Sequence, residues 1–226
     1  MRRASRVTVG TIAVAMILIG AVLAGCASPS PIAKRVVLLA PFEGNLREIG
    51  YDTLYPVRLA LADAQAEEIT VLALDAGESP TAAASKAAAF ADDPTVLLAL
   101  VAGAQVADAQ VLTAFGDVPI VVIGDWNAVP SKRIFVLASA DLHERLTSTE
   151  TDVYTAAGLK NATGGETFGL KGFARLAGDT AGISVVTNAS PAPAELQARL
   201  ESSALFVPEA GLLATNAYDA GTLTAA

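Results

Sequence analysis

Asp125 and Trp126 are the pair of residues whose types best suit a binding site. They follow the apolar run Pro119-Ile120-Val121-Val122-Ile123 and Gly124. An indole at the end of such a run either stacks on a ligand or seals an internal interface. Gly103, Ala104 and Gln105 follow a second apolar run, residues 95–101, and precede a predicted helix. Free amides there would receive an anion, or the three residues simply make a close strand-to-helix turn. A third group, Phe42, Glu43, Asn45, Arg47 and Tyr51, lies in or just after the loop behind residues 36–40, with Tyr55 one turn further on. These residues line a cleft or serve as solvated loop and cap groups; Tyr55 could equally pack on the sheet.

Reactive chemistry is poorly represented. His143 is the lone histidine and Cys26 the lone cysteine, so neither a disulfide framework nor a thiolate or imidazole metal cage is expected. The G-x-S-x-G, G-x-x-x-x-G-K-[ST] and G-x-G-x-x-G motifs do not occur. Gly164-Gly165-Glu166 follows no strand and reads as a turn. No catalytic residue, metal or cofactor is expected, and the chain reads as a non-enzyme.

The elements that position these groups form an alternating pattern. Residues 36–40 are a continuous apolar run, the signature of a strand buried on both faces. Pro41 stops it. Leu46, Ile49, Leu54, Val57, Leu61 and Ala64 recur at roughly helical spacing, predicting a helix over 46–64. Strands are predicted at 69–74, 95–101, 119–123 and 133–137, and helices at 81–91 and 106–115. Ser79 is the expected N-cap of the second helix, with Pro80 at its first position. Five strands with intervening helices predict an α/β fold with a doubly wound parallel sheet. Beyond residue 138 the chain is richer in Thr, Gly, Asn and Pro, with a loop at 158–169, a short helix at 168–177, a strand at 182–187, and helices at 194–203 and 207–225.

The amino terminus reads as a targeting segment. Arg2, Arg3 and Arg6 precede an apolar stretch at 9–24, which is short for a span of about 20 apolar residues. Leu23-Ala24-Gly25-Cys26 resembles the lipobox of bacterial lipoproteins, which implies cleavage before Cys26 and its acylation. Acyl chains contribute about 0.8 kcal/mol per buried CH₂, so two or three anchor stably. The expected organisation is a signal peptide at 1–25, a lipidated Cys and tether at 26–33, a first α/β lobe at 34–138, and an abbreviated second lobe with a terminal helix at 139–226. The chain carries a net charge of −8, with all 23 acidic residues after the leader and three of 15 basic ones inside it. An acidic surface disfavours nucleic acid. Hydrophobic residues make up 53% and charged residues 17%, a composition that supports a substantial core rather than disorder.

The stretch VVLLAPFEGNLREIGYDTLYPVRLALADA, with Pro41, Gly44, Gly50 and Ala60 to Ala62, resembles the start of the type I periplasmic solute-binding proteins of the branched-chain amino-acid receptor group. LALVAGAQVADAQ and PIVVIGDWN resemble the strands and cleft loops that follow in that family. Gln105 and Val106 stand where Ser or Thr is usual. GISVVTNASPAP and the terminal stretch containing Tyr218, Asp219 and Ala220 resemble a late second-lobe strand and the last helix. The resemblance implies a lipid-anchored, extracytoplasmic receptor that captures a small polar solute between lobes and passes it to an ABC permease. The same fold also serves envelope lipoproteins that bind cell-wall synthases, and that alternative stays open.

Overall fold

The structure, a computed structural model, describes residues 33–138, 163–178, 180, 182–187, 189, 191–203 and 207–226. Cys26 and His143 lie outside the described residues. All the described residues belong to one contact unit, Ala33–Ala226.

Strand β1 (Lys34–Ala40) is an inner strand of the sheet. Val36, Val37, Leu38, Leu39 and Ala40 have no exposed surface at all, which is why the run shows no alternation. β1 pairs in parallel with β2 (Ile69–Asp75) on one side and with β3 (Val96–Val101) on the other. β4 (Ile120–Ile123) and β5 (Ile134–Leu137) extend the sheet, giving the order β2-β1-β3-β4-β5, all parallel. The five strands fall where the apolar runs predict them, and the α/β, doubly wound parallel class holds.

Helix α1 (Arg47–Asp63) joins β1 to β2, α2 (Pro80–Ala88) joins β2 to β3, and α3 (Ala109–Ala114) joins β3 to β4. Right-handed crossovers send α1 to one face and α2 and α3 to the other, and α2 and α3 pack together accordingly. The Ser79 hydroxyl accepts the Ala82 amide at 3.2 Å, with Pro80 opening the helix, as its sequence predicts. α3 is shorter than the expected 106–115. The Gly103 carbonyl accepts the amides of Val106 and Ala107, and the Asp108 carboxylate caps Gln110 at 2.8 Å, so helical geometry starts only at Ala109.

The carboxyl-terminal segments begin with β6 (Thr163–Gly164) and a 3₁₀ turn (Glu166–Gly169). They continue with α4 (Lys171–Ala177), β7 (Ser184–Val185), α5 (Ala194–Ser203) and α6 (Ala214–Ala225). β6 and β7 form a separate parallel pair. The turn replaces part of the loop expected at 158–169. β7 is two residues long, not six, and the final helix starts seven residues later than its apolar pattern suggests. α6 packs along α1, where Gly221 comes so close that an added Cβ would lie 2.7 Å from the Ala60 Cβ and 3.0 Å from the Val57 carbonyl oxygen. Phe168, Leu170, Phe173, Leu213, Ala217 and Ala220 join the principal core. Among the described residues no helix is long and apolar enough to cross a membrane.

Candidate functional site

The loops after β1, β3 and β4 emerge at the carboxyl edge of the sheet. β1 and β3 are neighbours whose connections leave in opposite directions, the switch point at which open α/β sheets form crevices. Local packing fixes the loops there. The Gly50 amide donates to the Pro41 carbonyl at 3.0 Å, and a Cβ on Gly50 would meet the Phe42 ring at 2.7 Å. Gly103, at φ +110°, turns the β3 loop against the Pro41 ring, 3.2 Å from where its own Cβ would stand. Only glycine fits both demands at 103. The first two loops are thereby held side by side.

Asp75, at the end of β2, ties the first loop down. Its carboxylate accepts the Phe42 amide at 2.7 Å and the Gly77 amide at 2.8 Å, and Lys86 lies 3.9 Å away. Burial works against the charge of Asp75, but these amides and Lys86 outweigh it and hold the carboxyl below its usual range. Phe42 meets Tyr51 edge to face at 5.5 Å, and Tyr51 stacks on Tyr55 at 6.3 Å. The three half-buried rings form a row beside the first loop. Glu43, Asn45 and Arg47 are exposed.

The third loop is built differently. Trp126 is 8% exposed, and its indole N–H donates to the Ile123 carbonyl at 2.7 Å. Its ring lies on Gly124, at φ +95°. The indole thus folds back on its own strand. The Asp125 amide donates to Glu166 Oε1 at 3.2 Å, and the Thr187 hydroxyl bonds the same oxygen at 3.2 Å. Glu166 is 1% exposed. Burial raises its pKa, its hydrogen bonds pull the other way, and the nearby Asp125 adds to the rise. Among the described residues Asp125 Oδ2, Glu166 Oε2, Gln105 Oε1 and Asn216 Nδ2 are buried without a hydrogen-bond partner. Such atoms are costly, and the three oxygens are unused acceptors, whereas Asn216 Nδ2, on α6, is an unused donor.

The structure therefore brings Phe42 and Tyr51 together and sets Gly103 beside Pro41. It pairs Asp125 with a residue the sequence reading treats as a plain turn. Gly103, Ala104 and Gln105 form a turn of their own, ahead of a helix that starts at Ala109. Two further acids escape sequence reasoning. Glu48 accepts the Gly172 amide at 2.6 Å, with Arg175 at 3.7 Å, and Asp52 accepts the Gly211 amide at 3.0 Å. The available signal was Asp52 itself, a carboxylate between Ile49, Thr53 and Leu54 on the buried side of α1. A separate open groove of about 350 Å³, lined by Arg58, Ala62, Glu67 and Thr70 among others, lies where α1 ends and β2 begins, away from the rim. No group of three or more metal-ligating side chains is found among the described residues.

No protein-family model matches the sequence, and no curated protein does. Solved structures do. The branched-chain amino acid transporter substrate-binding protein LivJ from Streptococcus pneumoniae, in complex with isoleucine, superposes with a TM-score of 0.56 at 14% identity, over 85% of this chain and 83% of that one. The fold is that of the type I periplasmic binding proteins. A Rhodospirillum rubrum protein described as a branched-chain amino acid ABC transporter aligns over the same shares, at 15% identity and a TM-score of 0.48. At 14% identity the likeness to LivJ establishes the architecture and leaves the ligand to be argued from the rim.

Proposed function

We propose that this chain is an extracytoplasmic solute-binding protein, anchored through lipid on Cys26, that captures a small polar solute and delivers it to an ABC permease. The observation that carries the reading is the Asp125–Glu166 pair at the carboxyl rim, with one unpartnered buried oxygen on each residue. A ligand rich in donors, such as one bearing an ammonium group, would satisfy those oxygens. The aromatic row Phe42–Tyr51–Tyr55 beside the first loop would supply apolar contact. In this reading residues 34–138 form the first lobe, and residues 139–226 are an abbreviated second lobe that covers it.

The test is calorimetric titration of the processed protein with panels of amino acids and small ammonium-bearing solutes. Heat and a melting shift are expected with at least one member, and Glu166→Gln should weaken that binding at least tenfold. Silence across the panels would sink the transport reading. Intact-mass analysis of the envelope-extracted protein checks the anchor, since acylated Cys26 should be the first residue.

A second reading has its own support. Phe168, Leu170 and Phe173 are buried in the principal core, and Gly172 abuts the Asn45 carbonyl of the first loop. A rim so filled suits a lipoprotein that binds a protein partner, such as a cell-wall synthase, without any solute. Capture of one stable envelope partner, indifferent to added solute, would favour it.

A further inference from the structure

Four acids at the seam hold the carboxyl-terminal segments, and three of them are on α1. Glu48 receives the Gly172 amide at the start of α4, Asp52 receives the Gly211 amide just ahead of α6, and Asp63 bonds Arg199 of α5 and, at 2.6 Å, the Tyr218 hydroxyl of α6. Spacings of four and eleven residues place all three on one side of the helix. Glu166 makes the fourth tie, to the loop after β4. Asp63 is paired with a cation; Asp52 is not. It is 7% exposed, and Gly211 lies so close that any side chain there would collide with the carboxylate. Pro56, four residues on in α1, also has no N–H to return to the Asp52 carbonyl.

We propose that this seam is a proton-operated latch, in which residues 207–226 seat on α1 while Asp52 carries a proton and loosen when it ionises. The inference goes beyond solute capture and needs no ligand. The groups that face Asp52 are Glu48, one turn before it on α1, Lys171 at the start of α4, and the amides of Gly211 and Leu213. Lys171 is also engaged by Glu209 at 2.8 Å, and Glu48 by Arg175. Burial is the strongest influence and the Glu48 charge the next; both favour the neutral acid. The two amides and Lys171 oppose them, and the balance leaves Asp52 at about 7 against an ordinary 3.8.

The direction follows from linkage. The seated state binds the proton more tightly than a released segment would. Its advantage is complete below about pH 3.8 and is lost as pH rises through 7. Between pH 6 and pH 8 the seating equilibrium should fall about tenfold. Glu166, facing Asp125 and Thr187, is shifted in the same direction. The latch therefore tightens from pH 8 to pH 6; in strong acid the Asp63 tie, whose carboxyl, against desolvation, its Tyr218 and Arg199 bonds hold below the usual range, is lost instead.

Hydrogen exchange of the full chain, with no solute present and each rate divided by the intrinsic rate at that pH, tests the latch. Protection of residues 207–226 should fall about tenfold from pH 6 to pH 8, while β1 and β3 keep theirs. Asp52→Asn, neutral at every pH yet still able to accept the Gly211 amide, should flatten that dependence. Unchanged protection in the wild type, an equal fall in β1 and β3, or the same fall in Asp52→Asn would each overturn the proposal. Carboxyl-carbon NMR of the wild-type protein gives a check independent of any variant. Asp52 should titrate near 7, and a midpoint near the ordinary carboxylate value would also overturn it. Failure of the solute panels leaves these readouts unaffected.

Discussion

Gly221→Ala sets two known effects against each other at one atom. Gly221 lies inside α6, where alanine is favoured over glycine by about 1 kcal/mol of helix propensity. The added methyl would stand 2.7 Å from the Ala60 Cβ, 3.0 Å from the Val57 carbonyl oxygen and 3.1 Å from the Val57 Cα. None of these is the end of a flexible side chain, so the helices themselves must part. Restoring ordinary carbon contacts of about 3.5–4.0 Å needs a separation of roughly 1 Å, which costs the facing atoms a quarter to a half of their attraction. Overpacking of this kind costs about 1–3 kcal/mol. Ala217 and Ala220, both without exposed surface, lie on the same helix. The overlap should outweigh the propensity, leaving a net loss of about 1 kcal/mol and a melting temperature lower by about 2–4 °C. Urea unfolding followed by circular dichroism measures it. Leu223→Ala, at a site on α6 that is 62% exposed, is the control and should change stability by less than about 0.5 kcal/mol. A Gly221→Ala protein stabilised by its propensity gain would show that α6 does not lie against Val57 and Ala60.

Three further outcomes are expected. Glu48→Gln removes the like charge beside Asp52, so the Asp52 midpoint should drop toward its ordinary value in a carboxyl NMR titration; no movement would remove Glu48 from the seam's electrostatics. Gly124→Ala puts a methyl 2.9 Å from the Trp126 indole nitrogen at a φ of +95°. Stability should fall by about 1–3 kcal/mol, and fluorescence of the single tryptophan should shift to longer wavelength as its bond to Ile123 breaks. Asp75→Asn loses the charge that holds the Phe42 and Gly77 amides. Because Asp75 is depressed below 3.8, its contribution is present above that value and disappears as pH falls through the lower one. The variant should be about 1 kcal/mol less stable at pH 7, a modest figure for a side chain one-third exposed, and should lose part of its acid dependence in melting scans.

Each of these sites could be read from the sequence to a different degree. The strand of residues 36–40 was plain because a run buried on both faces needs no alternation. Ser79 and Pro80 were plain because a cap acts within one turn. Gly50 and Gly103 were visible as glycines, although the reason each must be one, the ring of Phe42 and the ring of Pro41, is a contact between segments. Glu166 was hidden by its neighbours Gly164 and Gly165, which suggest a turn and say nothing of what an acid on that turn meets. The expected helix start at Val207 rests on Pro208 being tolerated in a first turn, but the Gly211 amide is instead drawn to Asp52 and α6 begins at Ala214.

The sequence alone determined the alternation of strands and helices, the parallel class and the glycines at the rim, because apolar periodicity, capping and left-handed turns act over a few residues. The tertiary structure alone decided that Asp52 meets Gly211, 159 residues away, and that Asp125 meets Glu166, 41 residues away. The state of a buried carboxylate depends on desolvation and on neighbouring charges within a few ångströms, and those are set by how distant segments pack.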